Sequence, residues 1–428
     1  MTGTLPAAPT LGTVPTISPS SGRGPRPRTI EVPPGVGAVD VLWGPLSDAL
    51  AGGEPIAPLP AVTTAQPVGV VDALRDAIRP HEPTLPGTAM VVTTSGSTGN
   101  PRGVELSATA LGSLTDEVNA LAGVDPSWVL AIPATSIGGL NVLIRSHRTG
   151  RPPVPVRSLG GAERFTDEVF AEAIEAASAH GSNIAVSLVP AQLPRLLSSQ
   201  IGRAALARCS LILIGGAALA PQAARDAADA GIAITTTYGM TETSGGCVFG
   251  GRPLADVRIK IDETDDRIWI AGPMLASGYR DERPGSDALS GGWLRTNDRG
   301  RWAAGALQVL GRLDDIVTVN GTNVDIVAIE DRLRDHPDVT DAIVIAIPSE
   351  RSDTTLHAAY GAVTRSDSDP ALLGSWVRDG LGRDAVPATF HRVDDFPLTA
   401  TGKVDRIEVA TVLGIDEQEA GAVGGDLL

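Results

Sequence analysis

Aromatic side chains are scarce in this chain: 3% of 428 residues. Its cores must therefore be built from Ala, Val, Leu and Ile, which a 42% hydrophobic share supplies. Cysteine is scarcer still. Cys209 and Cys247 cannot form a disulfide framework, and both sit among apolar or small residues. Buried free thiols in a reducing cytoplasm are the expectation. No apolar run is long enough to span a bilayer. The start lacks the charged segment and apolar run of a secretory signal. An excess of basic charge is also missing: 34 Lys and Arg stand against 50 Asp and Glu, a net charge of −16. That balance excludes nucleic acid and an anionic membrane as natural partners, since both need a basic surface. What is left is a cytoplasmic protein acting on small molecules, with room for a homodimer.

The length calls for more than one domain. Residues 1–28 are rich in Pro, Gly, Ser and Thr and read as a disordered leader. From Thr88 onward, β-like runs (Ala89–Thr93, Trp128–Ile132, Ile184–Val189, Leu211–Ile214, Ile232–Thr236) alternate with Ala-rich helical stretches. One helix is marked by Phe165, Val169, Phe170, Ala173, Ile174 and Ala177 at helical spacing, with Thr166 as cap and Gly181 as terminator. Such alternation predicts a mostly parallel α/β sheet. After Arg252 the runs Val257–Ile261, Arg267–Ile270 and Leu307–Leu310 are short and turn-separated, which predicts an antiparallel β subdomain. A polar break at 312–315 separates this domain, 29–311, from a small α+β unit, 316–413. An acidic flexible tail, 414–428, follows.

The most informative stretch is Val91-Val92-Thr93-Thr94-Ser95-Gly96-Ser97-Thr98-Gly99-Asn100-Pro101-Arg102-Gly103-Val104. An apolar run feeds a loop of Ser, Thr and Gly, closed by a cation and another Gly. Such a loop offers backbone N–H groups and hydroxyls with no bulky side chain in the way, which suits a polyphosphate. The spacing is not that of a P-loop.

Four more motifs follow in order: Gly215-Gly216-Ala217, Tyr238-Gly239-Met240-Thr241-Glu242-Thr243, Gly292-Trp293-Leu294-Arg295-Thr296-Asn297-Asp298, and Pro397-Leu398-Thr399-Ala400-Thr401-Gly402-Lys403. Each alone is weak. As an ordered set they resemble the adenylate-forming superfamily, which includes acyl-CoA synthetases and peptide-synthetase adenylation domains. The resemblance implies a large N-terminal domain, shortened on its N-terminal side, and a small mobile C-terminal one. It implies ATP, Mg²⁺ and CoA, and a small carboxylic acid that is joined first to AMP and then to the thiol. By the same resemblance Thr94 to Gly99, with Arg102, hold phosphates. Gly215, Gly216 and Ala217 line the base and Tyr238 stacks on it, with Gly239 and Met240 beside it. Thr241 touches phosphate, Glu242 holds the metal, and Asp298 and Arg312 hold the ribose. Lys403 serves the adenylation step, Asp314 is the hinge, and Asn320-Gly321-Thr322-Asn323 faces the thiol.

Two departures stand out. The family usually carries Lys where Arg102 stands, so a point charge is replaced by a planar fork. An aromatic–His pair expected after Pro133 is missing; the segment reads Ala134-Thr135-Ser136-Ile137-Gly138-Gly139-Leu140. This region, with Ser187–Leu193 and Gly251–Leu254, resembles the 2-succinylbenzoate–CoA ligase branch in its compact form, tied to menaquinone biosynthesis. That acid has two carboxylates, and the one not activated needs a partner when buried. Arg145, at the end of an apolar helical run, is the candidate, with Ser136 and Gly139 as further lining residues. Ligation of another acyl or aryl acid is the alternative, as is a degenerate homologue that binds nucleotide without turnover.

Overall fold

The computed structural model describes residues 23–64, 66–94, 101–281, 288–347, 354–362, 369–394, 396–397, 404 and 406–414. Three sheets build the larger domain. In the first, strands Arg28–Val32, Ile56–Pro60 and Thr88–Thr93 run parallel, and Gly103–Ser107 and Gly278–Tyr279 add antiparallel strands. The second has seven strands. Its parallel centre pairs Val154–Pro155, Ser127–Leu130, Ile184–Leu188, Cys209–Ile214 and Thr235–Met240 in that order. Gly245–Phe249 and Arg252–Pro253 extend it antiparallel. The third is the antiparallel β subdomain, around the long strand Trp293–Ala303.

The central strands read as near-continuous apolar runs because both faces are covered by helices. Ile184–Leu188 is buried along its whole length. Helix Asp167–Ser178 covers one face with Val169, Phe170, Ala173, Ile174 and Ala177, and Thr166 caps it by accepting from the Val169 N–H. The cores are aliphatic, with Trp128 and Phe170 among the few large aromatics inside.

The small domain holds the hairpin Ile316–Val319/Thr322–Asp325, helix Ile326–Arg334 and the sheet Val339–Ile347, Thr355–Ala362, Thr389–Arg392. Asp325 caps the helix, accepting from Val327 and Ala328 N–H. A short turn of 3₁₀ helix at Leu313–Asp315 links the strand Ala306–Arg312 to this hairpin.

Three sequence boundaries shift. Residues 24–28 lie within the expected leader, yet Gly24 and Pro25 exchange backbone hydrogen bonds with Thr84, and Arg28 opens the first strand. The strand expected at 232–236 instead covers Thr235–Met240, so Tyr238 and Gly239 lie inside it rather than after it. The strand extends because Gly245–Phe249 pairs back onto it, Gly239 opposite Gly246 and Met240 opposite Gly245. Only that long-range partner decides the strand's end. At the other end, Gly414, assigned to the flexible tail, still closes a turn onto Thr411.

Candidate active site

The strand ends of the second sheet carry the glycine motif and the Tyr238 motif side by side. Gly215 follows its strand, and a Cβ there would run into the Thr237 hydroxyl of the neighbouring strand. Only glycine lets the two strand ends close up at this point. Gly216 and Ala217 form the turn that follows, with Ala217 exposed.

Tyr238 points across to the β subdomain. Its hydroxyl donates to Asp298 Oδ2 at 2.8 Å. Burial, and then the charge of Asp298, push the Tyr238 hydroxyl well above its usual range, so it remains a donor. Arg312 reaches Asp298 Oδ1 from the adjacent strand at 3.2 Å and grips Asp314 with two contacts of 2.9 and 2.8 Å. Tyr238, Asp298, Arg312 and Asp314 thus form one connected row.

Thr241 and Glu242 sit in the short 3₁₀ turn after the strand. Thr243 ties this turn down, donating to the Gly245 carbonyl and accepting from the Met240 N–H. Glu242 is not a solvated helix-start carboxylate. Burial pushes its carboxyl up from the ordinary range, and the nearby Arg102 acts in the opposite direction. Its one side-chain donor among the described residues is the Tyr279 hydroxyl at 2.9 Å. A half-buried carboxylate whose side-chain donor is a neutral hydroxyl suits a divalent cation, which would offset the lost hydration.

Arg102 lies at the neck of the Ser/Thr/Gly loop. Thr94 N–H donates to its carbonyl at 2.8 Å, and its own N–H donates to the Thr94 hydroxyl at 3.2 Å. The guanidinium, expected to face phosphate, is instead held by Asp281 at 2.9–3.1 Å and lies 3.7 Å from the centroid of the Tyr279 ring. The flat fork of Arg makes both contacts at once, which a lysine ammonium cannot do.

Arg145 is buried, 6% exposed, in the helix Ile137–Arg148. Its guanidinium carbon stands 5.2 Å from the Trp128 ring. Among the described residues no acid pairs with it. Desolvation drops its pKa to about 10. It lines a hollow of about 10 Å³ together with Asn141, Thr243, Ser244 and Met274, next to the Thr241–Thr243 turn. The hollow has room for one water or one carboxylate oxygen.

Ser136 and Gly139 have local structural work. Ser136 caps the helix, accepting from Gly139 N–H and donating to the Pro133 carbonyl. A Cβ on Gly139 would collide with that same carbonyl. The hydroxyl expected to line a pocket is therefore engaged in the cap. Ser95, Gly96, Ser97, Thr98, Gly99 and Lys403 lie outside the described residues.

Sequence reasoning missed Tyr279, Asp281 and Asn141. The Asn141 side chain donates to the Ile137 and Ser244 carbonyls, fixing the helix against the Glu242 turn. No spacing links position 102 to 281 or 242 to 279, and nothing in the sequence could have paired them.

A nucleotide-motif strand end, a carboxylate row and a small domain joined by a short turn are the architecture of the adenylate-forming enzymes. More narrowly, the chain belongs to the AMP-binding enzyme family: that family's model matches residues 47–280, and the model of its C-terminal domain matches 328–403. A probable 2-succinylbenzoate–CoA ligase of Mycobacterium tuberculosis is 37% identical over 386 residues, covering 89% of this chain and 96% of that protein. The 2-succinylbenzoate–CoA ligase of Enterococcus faecalis is 27% identical over 369 residues, covering 78% and 71%. Among solved structures, the amide bond synthetase McbA of Marinactinospora thermotolerans superposes with a TM-score of 0.70 at 24% identity, over 92% of this chain and 91% of that one. The o-succinylbenzoate CoA synthetase of Bacillus subtilis, bound to its acyl-adenylate intermediate, gives 0.64 at 22%, over 87% and 80%. These structural matches carry the fold. No helix among the described residues is long and apolar enough to cross a membrane.

Proposed function

We propose that this protein is an AMP-forming ligase that converts 2-succinylbenzoate, ATP and CoA into 2-succinylbenzoyl-CoA, AMP and pyrophosphate, a step of menaquinone biosynthesis. The observation that carries the choice of acid is Arg145, a buried cation with no acidic partner among the described residues, lining a hollow beside the Glu242 turn. Such a cation is costly alone and stabilising once an anion arrives. The benzoate carboxylate supplies that anion while the succinyl carboxylate reacts. The relatives named for this activity support the same reading.

Two anions must be brought together, so the site has to offset their repulsion. Asp298 accepts the ribose hydroxyls, held in place by Tyr238 and Arg312. The Tyr238 ring, with Gly215, Gly216 and Ala217, forms the base site. Residues Thr94 to Gly99 wrap the outer phosphates, and Thr241 adds a hydroxyl. Glu242 would hold Mg²⁺, which neutralises phosphate charge when bound. Lys403 bridges the carboxylate and the α-phosphate. The small domain turns about Asp314 between the adenylating and thioester-forming steps, and residues 320–323 then face the CoA thiol.

The test is pyrophosphate release with ATP, Mg²⁺ and CoA across a panel of 2-succinylbenzoate, fatty acids and aryl monoacids. Strong preference for the diacid is expected. Equal release with monoacids sinks the choice of substrate, and no release with any acid sinks the enzyme reading.

A further inference from the structure

The guanidinium of Arg102 is committed to two neighbours that flank a single anchor. Tyr279 and Asp281 stand on either side of Arg280. The Arg280 side chain makes five hydrogen bonds of 2.7–2.9 Å, to Glu105 and to the carbonyls of Ile78, Arg79, Glu82 and Pro83. Glu105 also accepts from Leu85 N–H and the Thr88 hydroxyl. This buried ion pair, with both partners saturated, fixes the segment; its backbone adds Arg280 N–H to the Gly103 carbonyl and strand pairing of Gly278 and Tyr279 with Glu105 and Val104. In an extended segment alternate residues share a side. Arg280 faces inward to its anchor, which leaves Tyr279 and Asp281 together on the side facing Arg102.

The chain of contacts then runs from the loop neck to the metal-site carboxylate. Asp281 holds Arg102 at 2.9–3.1 Å, the Arg102 guanidinium carbon lies over the Tyr279 ring 3.7 Å from its centroid, and the Tyr279 hydroxyl donates to Glu242 at 2.9 Å. The stack fixes the ring, and the ring fixes the hydroxyl.

From this we infer that Arg102 is a positioning residue for Glu242, acting through Tyr279, and not a phosphate-gripping cation. The inference rests on the proposed role of Glu242 toward Mg²⁺. The Lys-to-Arg departure then has a physical reason: only a planar fork both pairs with Asp281 and stacks on the ring. Asp281 engages the Arg102 guanidinium, and on this reading the charge that meets phosphate comes from elsewhere in the site.

The experiment uses Arg102→Lys, Tyr279→Phe, the double variant and Glu242→Gln in the full-length protein. The Mg²⁺ requirement is titrated by pyrophosphate release, and ATP binding is measured by calorimetry in Mg²⁺ and in EDTA. Tyr279→Phe removes one oxygen from a packed ring, so folding is retained. Each single variant should raise the half-saturating Mg²⁺ by about 5- to 10-fold, the loss expected for one buried hydrogen bond. The double variant should be no worse than the worse single, because both cut the same chain. ATP affinity in EDTA should change by less than about twofold. Additive effects, or a tenfold (about 1.4 kcal/mol) loss of metal-free ATP binding in Arg102→Lys, overturn the inference and restore Arg102 as a phosphate contact. If Glu242→Gln leaves the Mg²⁺ requirement unchanged, the Glu242 assignment is what failed, and the inference falls with it.

Discussion

Replacing Arg145 with Met should make the protein more stable and a worse enzyme at once. The wild-type cation is buried, with no acid among the described residues to pair with it, and desolvation brings its pKa down to about 10. That shift corresponds to a burial cost of about 3 kcal/mol. The Trp128 ring, 5.2 Å away, returns about 1–2 kcal/mol. Met fills similar apolar space without the charge, so Arg145→Met should gain about 1–2 kcal/mol. At this size that is an increase in Tm of about 1–3 °C. The pH dependence has a definite sign. Folded and unfolded chains are both protonated at neutral pH, and the penalty fades only as pH climbs from about 10 toward the unfolded value, where the unfolded chain binds the extra proton. The gain should therefore be flat from pH 6 to 9. The same substitution removes the partner of the benzoate carboxylate, so KM for 2-succinylbenzoate should rise by about 10- to 150-fold, with KM for ATP nearly unchanged. Calorimetric melting and steady-state kinetics on both substrates check the pair of outcomes. A loss of about 2 kcal/mol in stability with an unchanged KM for the diacid would refute the reasoning and make Arg145 an ordinary structural cation.

Lys403→Ala should lower adenylation by about 10²–10³-fold while leaving thioester formation from supplied acyl-adenylate intact; equal loss in both half-reactions removes the swinging-domain assignment. Asp384 tethers the tip of the small-domain hairpin, accepting from the Asn320 amide and the Thr322 hydroxyl at 3.2 and 3.1 Å. Asp384→Ala should therefore slow thioester formation by about 3- to 10-fold and spare pyrophosphate release, measured in separated half-reactions. Asp315, in the interdomain turn, has its carboxyl raised to about 6 by burial, with Arg406 acting against that. Its folded value lies above the unfolded one, so its charging destabilises the folded state as pH rises from about 4 to 6 and throughout the range above. Asp315→Asn should raise Tm above pH 6 and have little effect below pH 4; a gain confined to acid pH would reverse the sign and reject the assignment.

Much of the fold was legible because it is local. The helix over Asp167–Ser178 follows from apolar spacing and a Thr cap. Central strands read as apolar runs because burial on both faces demands it. Strand ends were less legible. Thr235–Met240 runs four residues past the expected end at Thr236 because a later strand pairs with it, and no neighbour in sequence records that. The motif residues were legible as types: Asp298, Arg312 and Tyr238 meet as an ordered set of motifs implies. Their partners were not. A free hydroxyl and a helix cap look alike in one dimension, and geometry alone tells that the Ser136 oxygen is engaged in the cap.

The sequence by itself determined the kinds of element and the ordered motifs of an AMP-binding enzyme, both of which are written within short windows. Tertiary structure alone decided what each charge faces. Arg102 and Asp281 are separated by 179 residues, and Tyr279 and Glu242 by 37. Periodicity carries no information over such distances, since contacts between remote segments depend on how sheets and loops pack. The same holds for Arg145, whose meaning comes from burial with no acid beside it among the described residues. An isolated cation and a paired one are spelled with the same letter.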